Sequence, residues 1–169
     1  MNFGELIGLS CTFAEFIDQD QDINREKTLE IYKGIEVDED LLNKIKSINR
    51  PVHILAFAEI WCPDCIINVP AVQKISDINP QINVYILPRE GYEEHLSNYK
   101  LAGKVKIPTF IVLDENFEEL GAFIETPTLL RNLVAKGNQV EIIVAKRKYR
   151  KGEYIKDTIK EITNIILRK

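Results

Sequence analysis

Apolar and polar positions change period along the chain, and the changes mark its elements. Residues 2–17 place Phe3, Leu6, Ile7, Cys11, Phe13, Ala14, Phe16 and Ile17 at a spacing that predicts a helix. A second helix is expected over Asn24–Lys33, ending at Gly34 as a C-cap. A third runs over Glu39–Ile48, capped by Asp38, with Leu41, Leu42, Ile45 and Ile48 on one face. Arg50-Pro51 closes this helical stretch. Val52–Ala58 is then apolar at nearly every position, as a central strand covered on both faces should be. A helix over Ile66–Ile75 and a strand over Gln81–Leu87 follow. Strand, helix and strand within about 35 residues make a βαβ unit, which forces the two strands parallel.

Beyond it, Tyr92–Tyr99 reads as a short helix and Val105–Leu113 as a third strand with a proline near its start. The turn Asp114–Phe117 joins that strand to Glu119–Ile124, an antiparallel hairpin. Thr126-Pro127 opens a helix over Thr128–Lys136 that stops at Gly137. Val140–Lys148 is short and β-branched, and is read as a helix. Glu153–Leu167 is helical, with Ile155, Ile159, Ile162, Ile165 and Ile166 on one stripe.

Composition narrows the class. With 169 residues, 45% hydrophobic and 28% charged, the chain suits one domain with extensions. A net charge of -4 gives no global pull toward nucleic acid or anionic membrane, and neither is expected as a partner. No apolar run reaches the ~18 residues of a membrane span. The N-terminus has no Lys or Arg before its apolar part and carries Glu5 and Glu15, unlike a signal peptide. A cytoplasmic protein is therefore expected, with its thiols reduced at rest. Asp18, Asp20 and Asp22 imitate the start of a calcium loop, but Ile23 and Leu29 stand where Gly and Glu are required. The basic run Lys146–Lys151 is expected to be a solvated face, with acidic substrates or the acidic N-terminal extension as partners.

Chemistry concentrates at Trp61-Cys62-Pro63-Asp64-Cys65, between the first strand and its helix. Two cysteines three apart at a helix start lie on one face, able to close or open a small disulfide ring. In a chain read as cytosolic this is a redox motif. The third cysteine, Cys11, is read as a small buried hydrophobe, with a regulatory thiol as the alternative. His53 is read as structural. Arg89, in the loop Pro88–Gly91, shares the edge of Cys62 and is a candidate substrate contact, weighed against a solvated loop arginine. A structural zinc needs four ligands; beyond Cys62 and Cys65 only Cys11, His53 and His95 remain, without paired spacing, so no metal is expected.

The order βαβ, helix, ββα, with Trp-Cys-x-x-Cys opening a helix and Ile107-Pro108-Thr109 at a strand start, resembles the thioredoxin family over residues 48–137. The Trp-Cys-x-Asp-Cys motif with Asn68-Val69-Pro70 is similar to a poorly characterised bacterial branch. The resemblance implies an α/β thioredoxin fold with a central mixed sheet of about four strands flanked by helices. A helical extension over 1–47 precedes that domain, and a helical tail over 138–169 follows it. It implies Cys62 as the exposed nucleophile and Cys65 as the buried resolving thiol. A thiolate at a helix N-terminus is stabilised below its free value of about 8.5. Trp61 would pack beside the cysteines, and Pro108 would follow a cis peptide after Ile107. Pro63 and Asp64 would shape the ring between the sulfurs, and Pro70 would kink the helix. No cofactor is implied. The partners would be a protein disulfide and an upstream reductant, either a reductase or a low-molecular-weight thiol.

Two departures qualify this. Ala56 stands where thioredoxins keep a buried acid, so Glu59 becomes the nearest candidate for proton handling. Asp64 adds a negative charge that opposes thiolate formation. Glutaredoxins share the Cys-Pro-x-Cys order, but their paired glycines are replaced here by Glu119-Leu120-Gly121-Ala122. The expected activity is thiol–disulfide oxidoreduction. The alternative is a thioredoxin-fold protein-binding module with little catalysis, its active face covered by the helical extension.

Overall fold

Three Asx/Thr-x-x-Glu capping boxes punctuate the helices of the computed structural model, which describes residues 1–168. Two of them divide the N-terminus. Helix α1 (Phe3–Ile7) starts at the box Asn2/Glu5, and α2 (Phe13–Asp18) at the box Thr12/Glu15. The single helix expected over 2–17 is therefore two. Each box satisfies two free N–H groups at its own helix start, so a new start outcompetes continuation. The chain between them extends, and Cys11 exchanges two backbone hydrogen bonds with Ile86, at 2.8 and 3.0 Å.

Helices α3 (Ile23–Lys33) and α4 (Glu39–Lys46) follow; Asp38 accepts from the Leu41 N–H at 2.9 Å. Then come β1 (Val52–Phe57), α5 (Pro63–Ile78) and β2 (Ile82–Leu87). The helix expected at 92–99 is a 3-10 turn, Glu93–Leu96. Strands β3 (Lys100–Leu101) and β4 (Lys104–Val105) make a small hairpin, turning at Ala102 and Gly103 with positive φ. Strands β5 (Thr109–Leu113) and β6 (Glu119–Ile124) lead to α6 (Thr128–Lys136), α7 (Gln139–Arg150) and α8 (Ile155–Leu167). The strand expected over 105–113 is thus broken. Pro108, after a cis peptide, offers no N–H, so β4 pairs with β3 while β5 joins the main sheet.

That sheet is mixed, in the order β2-β1-β5-β6, with β1 parallel to β2 and antiparallel to β5. Strand alternation divides the core in two. Val52, Ile54 and Ala56 of β1 join Phe110 and Val112 of β5 under α5 and α8. Leu55, Phe57, Ile111 and Leu113 face the other way, onto Leu6 of α1, Leu96 and Tyr99. The tail helix α8 adds Ile155, Ile159, Ile162, Ile165 and Ile166 to the first cluster. Among the described residues, no helix is long and apolar enough to cross a membrane.

Candidate active site

The site is built where β1 ends and α5 begins. Cys62 is the N-cap of α5 and Pro63 its first helical residue, where the missing N–H costs nothing. Cys65 then lies one turn into the helix, fully buried. All three cysteines are free thiols. The Cys62 thiol donates to the Ile107 carbonyl at 3.7 Å, which sets the β4–β5 connection against the sulfur. The nucleophile implied to be exposed is therefore only 6% exposed. Trp61, the residue before the cap, is 57% exposed. It lines a groove of about 710 Å³ with Pro63, Ile66, Ile31 of α3 and Lys151.

The two sulfurs are displaced in opposite directions. Cys62 is lowered to about 7, chiefly because the Cys65 thiol donates toward its sulfur. Burial opposes this, the Cys65 and Asp64 backbone N–H groups assist it, and the Asp64 charge opposes it weakly. Burial pushes Cys65 well above its ordinary value, and the hydrogen bond to Cys62 and the charges of Cys62 and Asp64 push the same way. The Glu59 backbone pulls it back.

Asp64 points toward the tail. Its Oδ1 accepts from the Tyr149 hydroxyl at 3.0 Å and from Arg150 Nη1 at 3.2 Å. Burial raises its carboxyl, while Arg150 and Tyr149 hold it down and Glu125 raises it further. Glu125, at positive φ after β6, pairs with Lys106 at 2.8 Å. Beneath them lies Asn68, fully buried on the second turn of α5. The two N–H groups of its Nδ2 are shared among three acceptors, the Tyr149 oxygen at 2.8 Å, the Asp64 carbonyl at 3.0 Å and the Glu125 carbonyl at 3.2 Å. Its Oδ1 accepts from Thr158 of α8 at 2.8 Å.

The remaining candidates separate. Ala56 is buried on the Cys65 side of β1, so no carboxylate lies there. The Glu59 carboxylate turns to the loop after β2, where it accepts from the Arg89 N–H at 2.9 Å and from the Glu90 N–H at 3.4 Å. Glu59 and Arg89 are thereby brought together through the Arg89 backbone. Pro70 lies inside α5 and removes one N–H from its ladder. Cys11 is half-buried at the β2 edge, away from the dithiol's own contacts; burial raises its thiol, as does Glu15. Among the described residues, no cluster of three or more His, Cys, Asp or Glu could hold a metal ion.

Tyr149 and Thr158 escape a reading of the sequence, and Asn68 enters it only within the Asn68-Val69-Pro70 motif, without a role. The basic run is a solvated face in its charged members, which are exposed, but Tyr149 within it is 3% exposed. The signal available for it is one aromatic among five cations. For Asn68 it is a lone polar residue in an apolar helix stretch.

Comparison with known proteins bears on the family and the fold. A family model described as Thioredoxin matches residues 10–142. A Pseudomonas aeruginosa protein of unknown function has a crystal structure that superposes with TM-score 0.86 at 26% identity, covering 98% of this chain and 97% of that one. An HIV epitope scaffold superposes with TM-score 0.85 at 25% identity, covering 98% of each chain. Among curated proteins, none matches the chain.

Proposed function

The chain belongs to the thioredoxin family, and from that premise we propose that it is a thiol–disulfide oxidoreductase that reduces protein disulfides. The observation that carries this reading is the placement of two thiols at one helix N-terminus, Cys62 at the cap and Cys65 buried one turn in. With a value of about 7, Cys62 is substantially thiolate at neutral pH, while Cys65 keeps its proton.

The Cys62 thiolate attacks one sulfur of the substrate disulfide. A Cys62–substrate bond forms, the substrate S–S bond breaks, and the second substrate sulfur leaves as a thiolate. That thiolate takes the Cys65 proton, a route that needs no protein carboxylate and is consistent with Ala56 in the acid's place. The Cys65 thiolate then attacks the Cys62 sulfur, closes the Cys62–Cys65 disulfide and expels the other substrate thiolate, which is protonated by water. Two electrons have moved from the dithiol to the substrate. An upstream reductase or low-molecular-weight thiol returns them. Trp61 and the groove beside it would receive the substrate chain, and Glu59 would hold the Arg89 loop in place. In a cytoplasmic location, where thiols are kept reduced, the pair would rest as a dithiol.

Cys65→Ser should trap protein partners on Cys62 as mixed disulfides visible on non-reducing gels, and Cys62→Ser should trap none. Full disulfide-reductase activity in both single variants would sink the idea. The low exposure of Cys62 favours a second reading, a docking module with little catalysis. Thiol counting on native protein separates the two: prompt reaction of Cys62 supports the enzyme, and silence supports the module.

A further inference from the structure

With Cys62 as the attacking thiol, a role taken over from the proposed function, the negative charge between the two cysteines bears directly on reactivity. The Asp64 carboxylate sits in the same helical turn as both sulfurs, where a free negative charge opposes a thiolate. In this fold the charge is not free. Two residues that lie 85 and 86 positions further along the chain converge on one of its oxygens.

The direction of the tyrosine hydrogen bond is fixed by its neighbours. Asn68 Nδ2 can only donate, so the Tyr149 oxygen accepts from it at 2.8 Å. The Asn68 amide is itself oriented, because Thr158 donates to its Oδ1 at 2.8 Å. The single proton of the buried Tyr149 hydroxyl is then available for Asp64 Oδ1 at 3.0 Å. Arg150 adds a positive charge on the same oxygen at 3.2 Å. The other charges that face Asp64 are Glu125 and Lys106, which pair with each other. Arg150 is 53% exposed, so its pair with Asp64 contributes little to stability. Its consequence falls on the neighbouring thiol instead.

We propose that Tyr149 and Arg150 are positioning residues of the redox centre: they hold and neutralise the Asp64 carboxylate, so that the C-terminal segment keeps Cys62 ready to attack at neutral pH.

The test is the pH dependence of alkylation by iodoacetamide on the fully reduced full-length protein, read at Cys62 by mass spectrometry. Arg150→Gln is expected to move the midpoint up by on the order of half a pH unit. Tyr149→Phe should move it the same way, and Asp64→Asn should move it down. In an Asp64→Asn background the Arg150→Gln shift should fall to less than half its size, because its target is gone. Two results overturn the proposal: no upward shift in Arg150→Gln, or an equal shift with and without Asp64. Arg150 is exposed, so its variant carries little folding risk and decides the matter even if Tyr149→Phe fails to fold. The readout is a titration and not a turnover. A protein that reduces no disulfide would defeat the proposed function and leave this measurement intact.

Discussion

Asn68 bonds to groups from four elements or their junctions: the start of α5, the turn after β6, α7 and α8. It is fully buried, so truncation leaves the Thr158 hydroxyl and two carbonyls without this partner in a place water reaches poorly. Asn68→Ala should lower the unfolding free energy by about 2 kcal/mol, measured by urea denaturation. A loss within the scatter of surface substitutions would show that the network contributes nothing to stability. At this scale the sequence is most legible where chemistry demands a residue type. Cys62, Cys65 and Pro108 stand out because spacing and strand context are local signals. Tyr149 does not, because no local pattern connects a residue of α7 to a carboxylate 85 positions earlier.

Gly121 decides how closely an element can approach. It lies in β6 opposite Val112, at a φ of +153, beside a register shift in the ladder. A Cβ built there would stand 3.0 Å from Ile165 Cγ2 on α8. Gly121→Ala therefore has to displace the Ile165 side chain on α8 by a few tenths of an ångström and adopt a backbone conformation that side chains resist. We expect a loss of about 1–3 kcal/mol, read as a lower Tm in a thermal melt. An unchanged Tm would mean that α8 yields freely. The helices and strands are mostly readable from period alone, including α6, whose observed bounds are those expected. The errors fall where two local rules compete. Thr12 and Glu15 spell a capping box inside a continuous apolar stripe, and the box prevails over the stripe. Pro108 inside a β-branched run marks a break between two pairings, not a proline within one strand.

Across the whole molecule, one sheet separates two cores, and His53 of β1 meets the Tyr85 and Phe117 rings at 5.8 and 4.8 Å. Its Nδ1 is buried without a hydrogen-bond partner among the described residues. Burial lowers its value below the ordinary one, and Asp114 offsets part of this. The unfolded chain then binds more protons than the folded one as pH falls below about 6.5. Stability present above that pH should decline on acidification toward the lowered folded value, and His53→Phe should flatten the decline in urea melts taken from pH 7 to 5. Equal slopes in the two proteins would remove His53 from the account. How the N-terminal and C-terminal helices close over the central domain is the least legible feature, since amphipathic stripes show that a face is covered but not by what.

The paired backbone bonds between Cys11 and Ile86 have a consequence for encounters between molecules. Strand β2 is an outer strand of the sheet, and such a strand invites a foreign chain to extend it. Here the molecule's own N-terminal segment takes up the outward backbone groups of Ile86, so a strand pairing along that part of β2 must first evict it. The short extended link between two capped helices thus interrupts edge-to-edge pairing at Ile86, a task independent of any thiol.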